Sequence, residues 1–503
     1  MPRFVVKFGG MSPLTGSLLT RRGPGAAAAG GAAALAAVVL AGCGGGSGGG
    51  GASAARTATP SAPETSLTST TNPTNPTASA ASGVPRGVRF AKVTLRAPAG
   101  LTRETPFDQP RTLTLPAGWS AEVWARVDNA RFEAWTPEDA LLVSEPALGR
   151  IVKLVPPAGG RVPESGTTIL DGLTDPQGMA FDRVNGQEVL YVAESDRVDR
   201  YVWSNGQPTA RTTVVGNLPD TDPVGDDVHR AKSLVVAPDH TLYVTLASST
   251  NAGTADSKMH PPRGTIAHVD PSTGKLTIYA TGVRNGEGLS FDPTGSLWTA
   301  VNNRDNILYP FHRSYTGGGD DDFFKTIPAY VNDHPAEELA KLSQGRNLGW
   351  PYCNPDPDTR PGVPGSPLNY DHPAFTSDAH NNPGGRVLNC ASLPRIDRGI
   401  PAHSAPLGLH FLQGTTAPRT WQGGAVVALH GSWNRHPPRA PAVAWFPWNA
   451  KRRTLGTQVQ LISGFQLPNG DRWGRPVDAV PGPDGALYVS DDTAGAIYRI
   501  GPR

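Results

Sequence analysis

The sequence predicts an all-β fold, a six-bladed β-propeller built from four-stranded antiparallel blades. A short pattern of an apolar strand, a Pro/Asp/Gly turn and a second apolar strand recurs from about residue 113 to the C-terminus. Gly (59) and Pro (50) are abundant, as many tight turns require, and long amphipathic helical patterns are scarce. A chain of 503 residues is too long for one ordinary compact domain unless its fold is repetitive.

Each copy of the recurring pattern predicts a β-hairpin. Clear copies lie at 178–194, 233–245, 288–298 and 477–489, and weaker ones at 132–143 and 407–429. A third strand, and often a fourth, follows most copies. About six such units are typical of a propeller, in which neighbouring blades bury each other's faces. We expect the last copy to complete a blade that begins near Leu113–Val123, which would close the ring.

The first 42 residues predict a lipoprotein signal peptide. Basic residues precede an apolar run from Gly25 to Leu40, which is short for a membrane-spanning helix. The run ends in Leu40-Ala41-Gly42-Cys43, which resembles a lipobox and predicts lipidation of Cys43. An ordinary signal peptide with an incidental Cys is the alternative. The protein is therefore expected to be exported and anchored to the cell membrane.

Composition divides the rest of the chain in two. Residues 43–83 are dominated by Gly, Ser, Thr, Pro and Ala and predict a flexible linker, whereas residues 84–503 predict the propeller.

The chain has 45 Lys and Arg against 43 Asp and Glu, with no basic stripe that would indicate nucleic-acid binding. Because the compartment is expected to be oxidising, we predict a Cys353–Cys390 disulfide rather than two free thiols.

Polar and charged side chains precede the innermost predicted strand of three repeats. They are His229, the pair Arg284 and Asn285, and Arg475. Equivalent positions in the repeats suggest that these residues converge at one mouth of the central channel. A His beside Arg groups is suited to proton abstraction, and Arg binds carboxylates bidentately. The alternative is that these residues cap the blades by hydrogen bonding to loop carbonyls.

Several segments, taken in order, resemble the soluble PQQ-dependent glucose dehydrogenase family, and especially its sorbosone dehydrogenase-like branch. The resemblance covers nearly the whole predicted propeller. It is carried by His229 with 233–239, by 282–291, 347–352 and 430–435, and by 475–485.

The resemblance implies oxidation of an aldose or sugar-derived aldehyde, with hydride transfer to the quinone of pyrroloquinoline quinone (PQQ). His229 would remove the substrate's hydroxyl proton, while Arg284 and Asn285 would lie over the cofactor and polarise its quinone oxygens. Arg475 would bind a carboxylate of PQQ. A Ca²⁺ ion would bridge cofactor and protein, held by backbone carbonyls at Asn303 and Arg304.

This sequence departs from the family's pattern at several positions. Ser248 stands near the place of an Asp that orients the catalytic His, so His229 is expected to be a weaker base unless Asp226 or Asp227 substitutes. Val477 replaces a second cofactor-binding Arg, and Gln177 is the nearest candidate for a family Gln.

Two further cofactor contacts are also altered. His403 stands at the position of a cofactor-contacting Thr, and Arg435 is expected to compensate for a missing cofactor-binding Lys. The charges at Asp320–Asp322 and Glu337–Glu338 suggest either a second calcium site or solvated loops, with the two Glu beginning a short helix.

The sequence thus predicts a PQQ- and Ca²⁺-dependent oxidoreductase that passes electrons to a membrane quinone or cytochrome. Two alternatives stay open. One is a propeller hydrolase or lactonase that works through a central calcium ion. The other is a non-catalytic propeller that binds glycans or proteins.

Overall fold

The computed structural model describes residues 84–156, 166–221, 229–414 and 416–503. These residues form a six-bladed β-propeller of antiparallel sheets, which confirms the predicted fold class. The predicted signal peptide, Cys43 and linker lie outside the described residues, as do Asp226 and Asp227. In the described part of the chain, no helix is long and apolar enough to cross a membrane.

We number the blades along the chain and give the strands of each from the channel outward. Blade 1 contains Glu133–Trp135, Leu141–Glu145, Arg150–Leu154 and Gly166–Leu170. Blade 2 contains Met179–Val184, Gln187–Ala193, Val198–Ser204 and Gln207–Val215. Blade 3 contains Leu234–Val236, Leu242–Leu246, Thr265–Asp270, Lys275–Thr281 and a parallel edge strand, Arg346–Asn347.

The remaining blades follow the same plan. Blade 4 contains Gly288–Phe291, Leu297–Val301, Glu337–Lys341 and Arg398–Ile400. Blade 5 contains Pro406–Phe411, Ala425–Leu429, Ala442–Phe446 and Val459–Ser463, extended by Thr112–Pro116 and Phe90–Thr94. Blade 6 contains Pro476–Pro481, Leu487–Asp491, Ala496–Pro502 and Trp119–Arg126.

The two ends of the propeller sequence meet in blade 6. Trp119–Arg126 is the outermost strand of that blade and pairs antiparallel with Ala496–Pro502, so that Ala121 faces Ile500. The ring is therefore closed as predicted. The preceding strand, Thr112–Pro116, joins blade 5 instead, so the Leu113–Val123 segment is divided between two blades.

The hydrophobic core is divided into layers that lie between successive blades. Between blades 6 and 1, for example, the fully buried Trp124 shares a cluster with Leu141 and Val143, and its ring meets Tyr488 edge-to-face at 4.8 Å. The second strands of blades 1, 4, 5 and 6 are buried along their whole length, so both of their faces are covered and most of their residues are apolar. Each blade is thus stabilised chiefly by its two neighbours.

Glycine recurs at the start of the innermost strands because neighbouring blades approach closely there. A Cβ atom at Gly178 would lie 2.6 Å from the backbone nitrogen of Leu234 in the next blade. A Cβ atom at Gly288 would lie 2.5 Å from the carbonyl oxygen of Leu407. The glycines of the repeated pattern therefore set the spacing around the channel.

A long insertion separates the second and third strands of blade 4, and another follows the third strand. The first holds the only α-helix of the described residues, Pro328–Val331, and the second holds a hairpin of Cys353–Asp356 and Ala374–Ser377. The predicted Cys353–Cys390 disulfide is confirmed, with Cα atoms 5.7 Å apart.

Several short elements complete the described structure. They are the 3₁₀ turns Pro146–Leu148, Thr254–Lys258, Pro383–Gly385 and Cys390–Ser392, and the hairpin of Trp448–Asn449 with Thr454–Leu455. The prediction that Glu337 and Glu338 begin a helix is wrong, because both are buried in the strand Glu337–Lys341.

Candidate active site at the channel mouth

Every blade contributes a polar side chain from the segment that leads into its innermost strand, which we call the lead-in segment. In blade order, these residues are Arg131, Gln177, His229, Arg284 with Asn285 and Glu287, His403, and Arg475. The second strand of each blade runs antiparallel to the first, so the loop that follows it emerges at the same end of the channel. These loops add Asn251, Asp305, His430 and Asp492.

The imidazole of His229 is half-buried and oriented by Ser248. Its Nδ1 lies 3.0 Å from both the carbonyl oxygen and Oγ of Ser248, whose backbone nitrogen in turn donates to the Arg284 carbonyl at 2.7 Å. Burial, reinforced by the positive charge of Arg284, lowers the pKa of His229 to about 3. The imidazole is therefore neutral at physiological pH and can accept a proton, but it is a weak base.

Arg284 is buried at the centre of a group of polar residues. Its Nη2 donates to Asp305 at 3.2 Å and to the side-chain oxygen of Asn251 at 3.0 Å, and its Nη1 donates to the carbonyl of Asn302 at 3.0 Å. Although burial raises the pKa of the Asp305 carboxyl, a hydrogen bond from His403 and the positive charge of Arg284 keep that pKa below its usual value. Arg284 is thus held rigidly beside His229.

Asn285 and two other lead-in residues converge on Glu287. The Glu287 carboxylate accepts hydrogen bonds from Asn285 Nδ2 at 3.0 Å, Gln177 Nε2 at 3.0 Å and Arg131 Nη2 at 2.8 Å. The amide oxygen of Asn285 is buried without a hydrogen-bond donor among the described residues. One acceptor at this position is therefore left for a bound molecule.

The chain of contacts continues from Arg131 to Arg475. Arg131 Nη1 donates to Asp492 at 3.0 Å, and the other oxygen of Asp492 lies 2.9 Å from His430 Nε2. Arg475 Nε then donates to the carbonyl of His430 at 2.9 Å. Of the sequence-predicted residues, the structure brings His229, Arg284, Asn285 and Arg475 into one connected polar network.

The structure also locates the predicted metal-binding residues. Asn303 and Arg304 are buried, and their side chains bind protein groups: Asn303 Nδ2 donates to Glu338 Oε1 at 2.9 Å, and Arg304 forms an ion pair with Asp378. Their backbone carbonyls accept no hydrogen bond from any described residue. The predicted backbone ligands are therefore available, and the assignment stays a prediction.

His403 contacts the edge of the network through Asp305, and Arg435 contacts other residues. His403 Nε2 lies 2.6 Å from the carbonyl of Val331, and its Nδ1 lies 3.5 Å from Asp305. Since both ring nitrogens face protein atoms, His403 supports Asp305, which in turn binds Arg284. Arg435 donates to the carbonyl of Asn332 at 3.0 Å and approaches Asp333 at 3.5 Å. Their predicted cofactor contacts stay predictions.

Sequence reasoning missed Arg131, Glu287, Asp305 and Asp492 as parts of the site. Arg131 lies two residues before the innermost strand of blade 1, as Gln177 does in blade 2, so alignment of the repeats would have found it. Glu287 follows the identified Arg284 by three residues, whereas Asp305 lies 21 residues after it, in the next loop. Only the three-dimensional contacts show that they fix the cationic groups.

The profile of the TrAA12-like family matches residues 113–503, which is most of the chain and the whole ring of blades. This chain belongs to the TrAA12-like family. Together with the sequence relatives, this match confirms the predicted resemblance to PQQ-dependent sugar dehydrogenases.

Relatives in sequence include two proteins of different description. An uncharacterised protein of Borreliella burgdorferi is 25% identical over 321 residues, 63% of this chain and 72% of that protein. A pyrroloquinoline quinone-dependent pyranose dehydrogenase of Coprinopsis cinerea is 29% identical over 253 residues, 44% of this chain. The match spans 31% of that protein's own length.

Two solved structures illustrate the shared fold. The holo form of the PQQ domain of the Coprinopsis cinerea pyranose dehydrogenase has a TM-score of 0.62 at 19% identity, covering 81% of this chain and 98% of that one. The calcium structure of a Trichoderma reesei carbohydrate-active enzyme of family AA12 also has a TM-score of 0.62, covering 77% of this chain and 96% of that one at 19% identity. At these identities, the likeness establishes the shared fold.

Proposed function

We propose that this protein is a PQQ-dependent oxidoreductase that oxidises an aldose or a sugar-derived aldehyde at the mouth of its channel. The observation that carries the proposal is the convergence of lead-in residues, which sets the neutral imidazole of His229 beside the buried guanidinium of Arg284. A base next to a fixed positive charge is suited to alcohol oxidation. Membership of the TrAA12-like family and similarity to the PQQ-dependent pyranose dehydrogenase of Coprinopsis cinerea support this choice of reaction.

The residues at the mouth fit a tricarboxylate quinone. Arg475 and Arg284 offer positive charge at two sides of the mouth, and Asn285 leaves a buried amide oxygen without a donor. A ligand with several carboxylates and an N–H group matches this set of charges and acceptors. Arg475 would hold a carboxylate, while Arg284 and Asn285 would contact the cofactor near its reactive carbonyls.

When bound, PQQ supplies a quinone that accepts the hydride of the substrate C–H bond. His229 takes the proton of the substrate hydroxyl, so that the substrate loses two electrons and two protons in all. Ser248 holds the imidazole in position through Nδ1, which places Nε2 at the opposite side of the ring. Arg284 stabilises negative charge that develops during transfer.

Calcium is part of the proposal. The carbonyl oxygens of Asn303 and Arg304 are hard ligands that accept no hydrogen bond from described residues, which suits Ca²⁺. The ion would act as a Lewis acid and fix the cofactor against the loop. The side chains of the same two residues keep the loop rigid through Glu338 and Asp378.

The cellular setting follows from the N-terminal sequence. We propose that Cys43 carries a lipid and holds the enzyme at the outer face of the cytoplasmic membrane, where a quinone or cytochrome accepts the electrons. The lipobox-like Leu40–Cys43 sequence supports this placement. Replacing Cys43 with Ser should release the protein from the membrane fraction and abolish incorporation of labelled fatty acid.

The hydrolase alternative is less compatible with the site. A calcium hydrolase requires several open carboxylates on the channel axis. Here Glu287, Asp305 and Asp492 each accept hydrogen bonds or ion pairs from arginine side chains. Their oxygens are therefore committed to fixing cations.

The proposal is tested by titrating the purified protein with PQQ and CaCl₂ and following quinone absorbance. Dye reduction with a panel of aldoses and aldehydes then identifies the substrate class. Saturable binding and sugar-dependent bleaching are expected. Absence of binding at high PQQ and calcium would refute the proposal.

Two variants distinguish the role of a residue in proton abstraction from a role in PQQ binding. His229→Asn should bind PQQ and lose turnover, whereas Arg475→Ala should weaken PQQ binding. His312→Asn is the matched control, because His312 lies on the surface and pairs with Asp321 at 2.8 Å. Equal turnover in wild type and His229→Asn would remove His229 as the base.

A further inference from the structure

A compact group of three potential metal ligands lies in the insertions of blade 4. His334 follows the helix Pro328–Val331, whereas Asp356 ends the strand Cys353–Asp356 and Asp358 comes two residues later. Their side chains are 3%, 4% and 3% exposed, respectively. One ligand atom from each side chain lies within 4.8 Å of the other two. None of the three takes part in the proposed oxidation.

The distances within this group are those of ligands rather than of hydrogen-bond partners. His334 Nε2 lies 3.4 Å from Asp356 Oδ1 and 3.3 Å from Asp358 Oδ2. A charged N–H···O hydrogen bond would be shorter, at about 2.7–2.9 Å. An ion about 2.0–2.2 Å from each atom in a tetrahedral arrangement would separate its ligands by roughly 3.3–3.5 Å.

The orientation of His334 points to the same conclusion. Its Nδ1 lies 2.9 Å from the backbone carbonyl of Tyr330, which can only accept a hydrogen bond, so Nδ1 carries a proton. The ring is also stacked on Tyr330, with centroids 4.0 Å apart. Nε2 faces the two carboxylates and makes no hydrogen bond with any described residue. A histidine fixed through one nitrogen, with the other aimed at carboxylates, is the usual state of a metal ligand.

The carboxylates are oriented in a similar way. Asp356 Oδ1 accepts from the backbone nitrogen of Asp358 at 2.9 Å, and Asp358 Oδ2 accepts from that of Gly362 at 3.3 Å. Asp356 Oδ2 is buried without a donor among the described residues. Two buried carboxylates require positive charge beside them, because uncompensated charge is costly in the interior, and either a proton on His334 Nε2 or a metal ion supplies it.

We infer that His334, Asp356 and Asp358 bind a Zn²⁺ ion in a tetrahedral site whose fourth position is open to water. One imidazole nitrogen and two carboxylate oxygens form a ligand set that zinc accepts, whereas Ca²⁺ and Mg²⁺ prefer oxygen ligands only. The site is separate from the Asn303 and Arg304 carbonyls and goes beyond the proposed oxidation. It does not depend on PQQ binding.

The ion would join the two insertions of blade 4. The Val331 carbonyl, three residues before His334, binds His403, which supports Asp305 at the channel mouth. The Asp356 strand begins at Cys353 and is fixed by the disulfide. Zinc would therefore stabilise one side of the site structurally, without contact with substrate.

The inference is tested on the full chain after chelator treatment, with Co²⁺ as a spectroscopic probe and Zn²⁺ as competitor. We expect one equivalent of Co²⁺ to give the intense visible bands of a tetrahedral site, and Zn²⁺ to displace it. His334→Asn and Asp358→Asn should abolish these bands, whereas His312→Asn, which alters an exposed His–Asp pair, should retain them. Bands of equal intensity in His334→Asn would overturn the inference.

A second measurement uses the wild-type protein, so that it gives a result even where the variants fail to fold. Crystals of the wild-type protein grown with Zn²⁺ should show an anomalous peak at the zinc edge between the three side chains. Unfolding temperature should also rise with Zn²⁺ in wild type but not in Asp358→Asn. No peak, together with no tetrahedral Co²⁺ spectrum in wild type, would show that a proton on His334 is the only cation at this position.

Discussion

Arg131 Nη2 and Glu287 Oε2 lie 2.8 Å apart across the channel mouth, although 156 residues separate them in the chain. The pair joins the lead-in segments of blades 1 and 4, which are opposite each other in the ring. Both side chains are largely buried, at 16% and 9% exposure. The pair therefore links two opposite blades directly at the site.

Replacing Arg131 with Met should cost about 3–5 kcal/mol, because the buried Glu287 and Asp492 carboxylates lose their shared cation. Adding Glu287→Gln should recover part of this loss, since a neutral amide no longer requires a cation. Urea unfolding of the two single variants and the double variant measures the coupling. If the losses in free energy of unfolding of the two single variants sum to that of the double variant, the two residues do not stabilise each other.

Folding stability should fall in acid through His229. Its folded pKa, about 3, lies below the ordinary value of 6.5, so the unfolded state binds the proton more readily. The contribution of the neutral His229 imidazole to the free energy of unfolding is fully present above about pH 6.5 and decreases as the pH falls toward 3. The loss at pH 5 should be roughly 1–2 kcal/mol.

His229→Gln removes this contribution. Its stability relative to wild type should therefore improve as the pH is lowered from 7.5 to 5, measured by urea unfolding. His312→Gln is the control, because His312 is exposed. An unchanged difference between pH 7.5 and 5 in His229→Gln would contradict a depressed pKa. Saturation with PQQ should raise the His229 pKa, since an anionic ligand offsets the charge of Arg284.

Gly178→Ala should destabilise the protein by about 1–3 kcal/mol, because the new Cβ would lie 2.6 Å from the Leu234 backbone nitrogen. Gly100→Ala is the matched control, since a Cβ there meets no atom within 4 Å. Thermal unfolding of the two variants compares them directly. Equal stability would mean that blades 2 and 3 can move apart without cost.

Loss of the Cys353–Cys390 disulfide should destabilise the insertion by about 2–4 kcal/mol, because the bridge closes a loop across 37 residues. The double variant Cys353→Ser/Cys390→Ser should show faster hydrogen exchange in residues 350–395 than wild type. Reductant should have the same effect on wild type and none on the double variant. Unchanged exchange would show that packing alone holds the insertion.

The fold could be predicted from the sequence because each hairpin is encoded locally. Asp-Pro-Thr-Gly at 292–295, for example, lies between two strands that pair as Phe291 with Leu297. The Glu337–Glu338 pair was misassigned because adjacent glutamates usually favour a helix start. Their burial in a strand depends on Asn303, whose backbone nitrogen donates to Glu337 and whose side chain donates to Glu338. Hydrogen bonds from a residue more than 30 positions away leave no signal in the sequence around Glu337 and Glu338.

The site could be predicted only in part for a similar reason. His229, Arg284 and Arg475 stand beside strong copies of the repeat, where a charged residue is conspicuous. Arg131 precedes a weak copy, and its role depends on Glu287 and Asp492 in distant blades. His334 gains its partners only when two insertions come together.

The pairing of Trp119–Arg126 with Ala496–Pro502 has a consequence for biogenesis. The outermost strand of blade 6 is synthesised before blades 1 to 4, but its partner emerges only after the other five blades. Until then, the apolar faces at the two open sides of the incomplete ring stay uncovered. The ring therefore closes late in folding, through a pairing between segments that lie far apart in the sequence, and such non-local pairing is intrinsically slow.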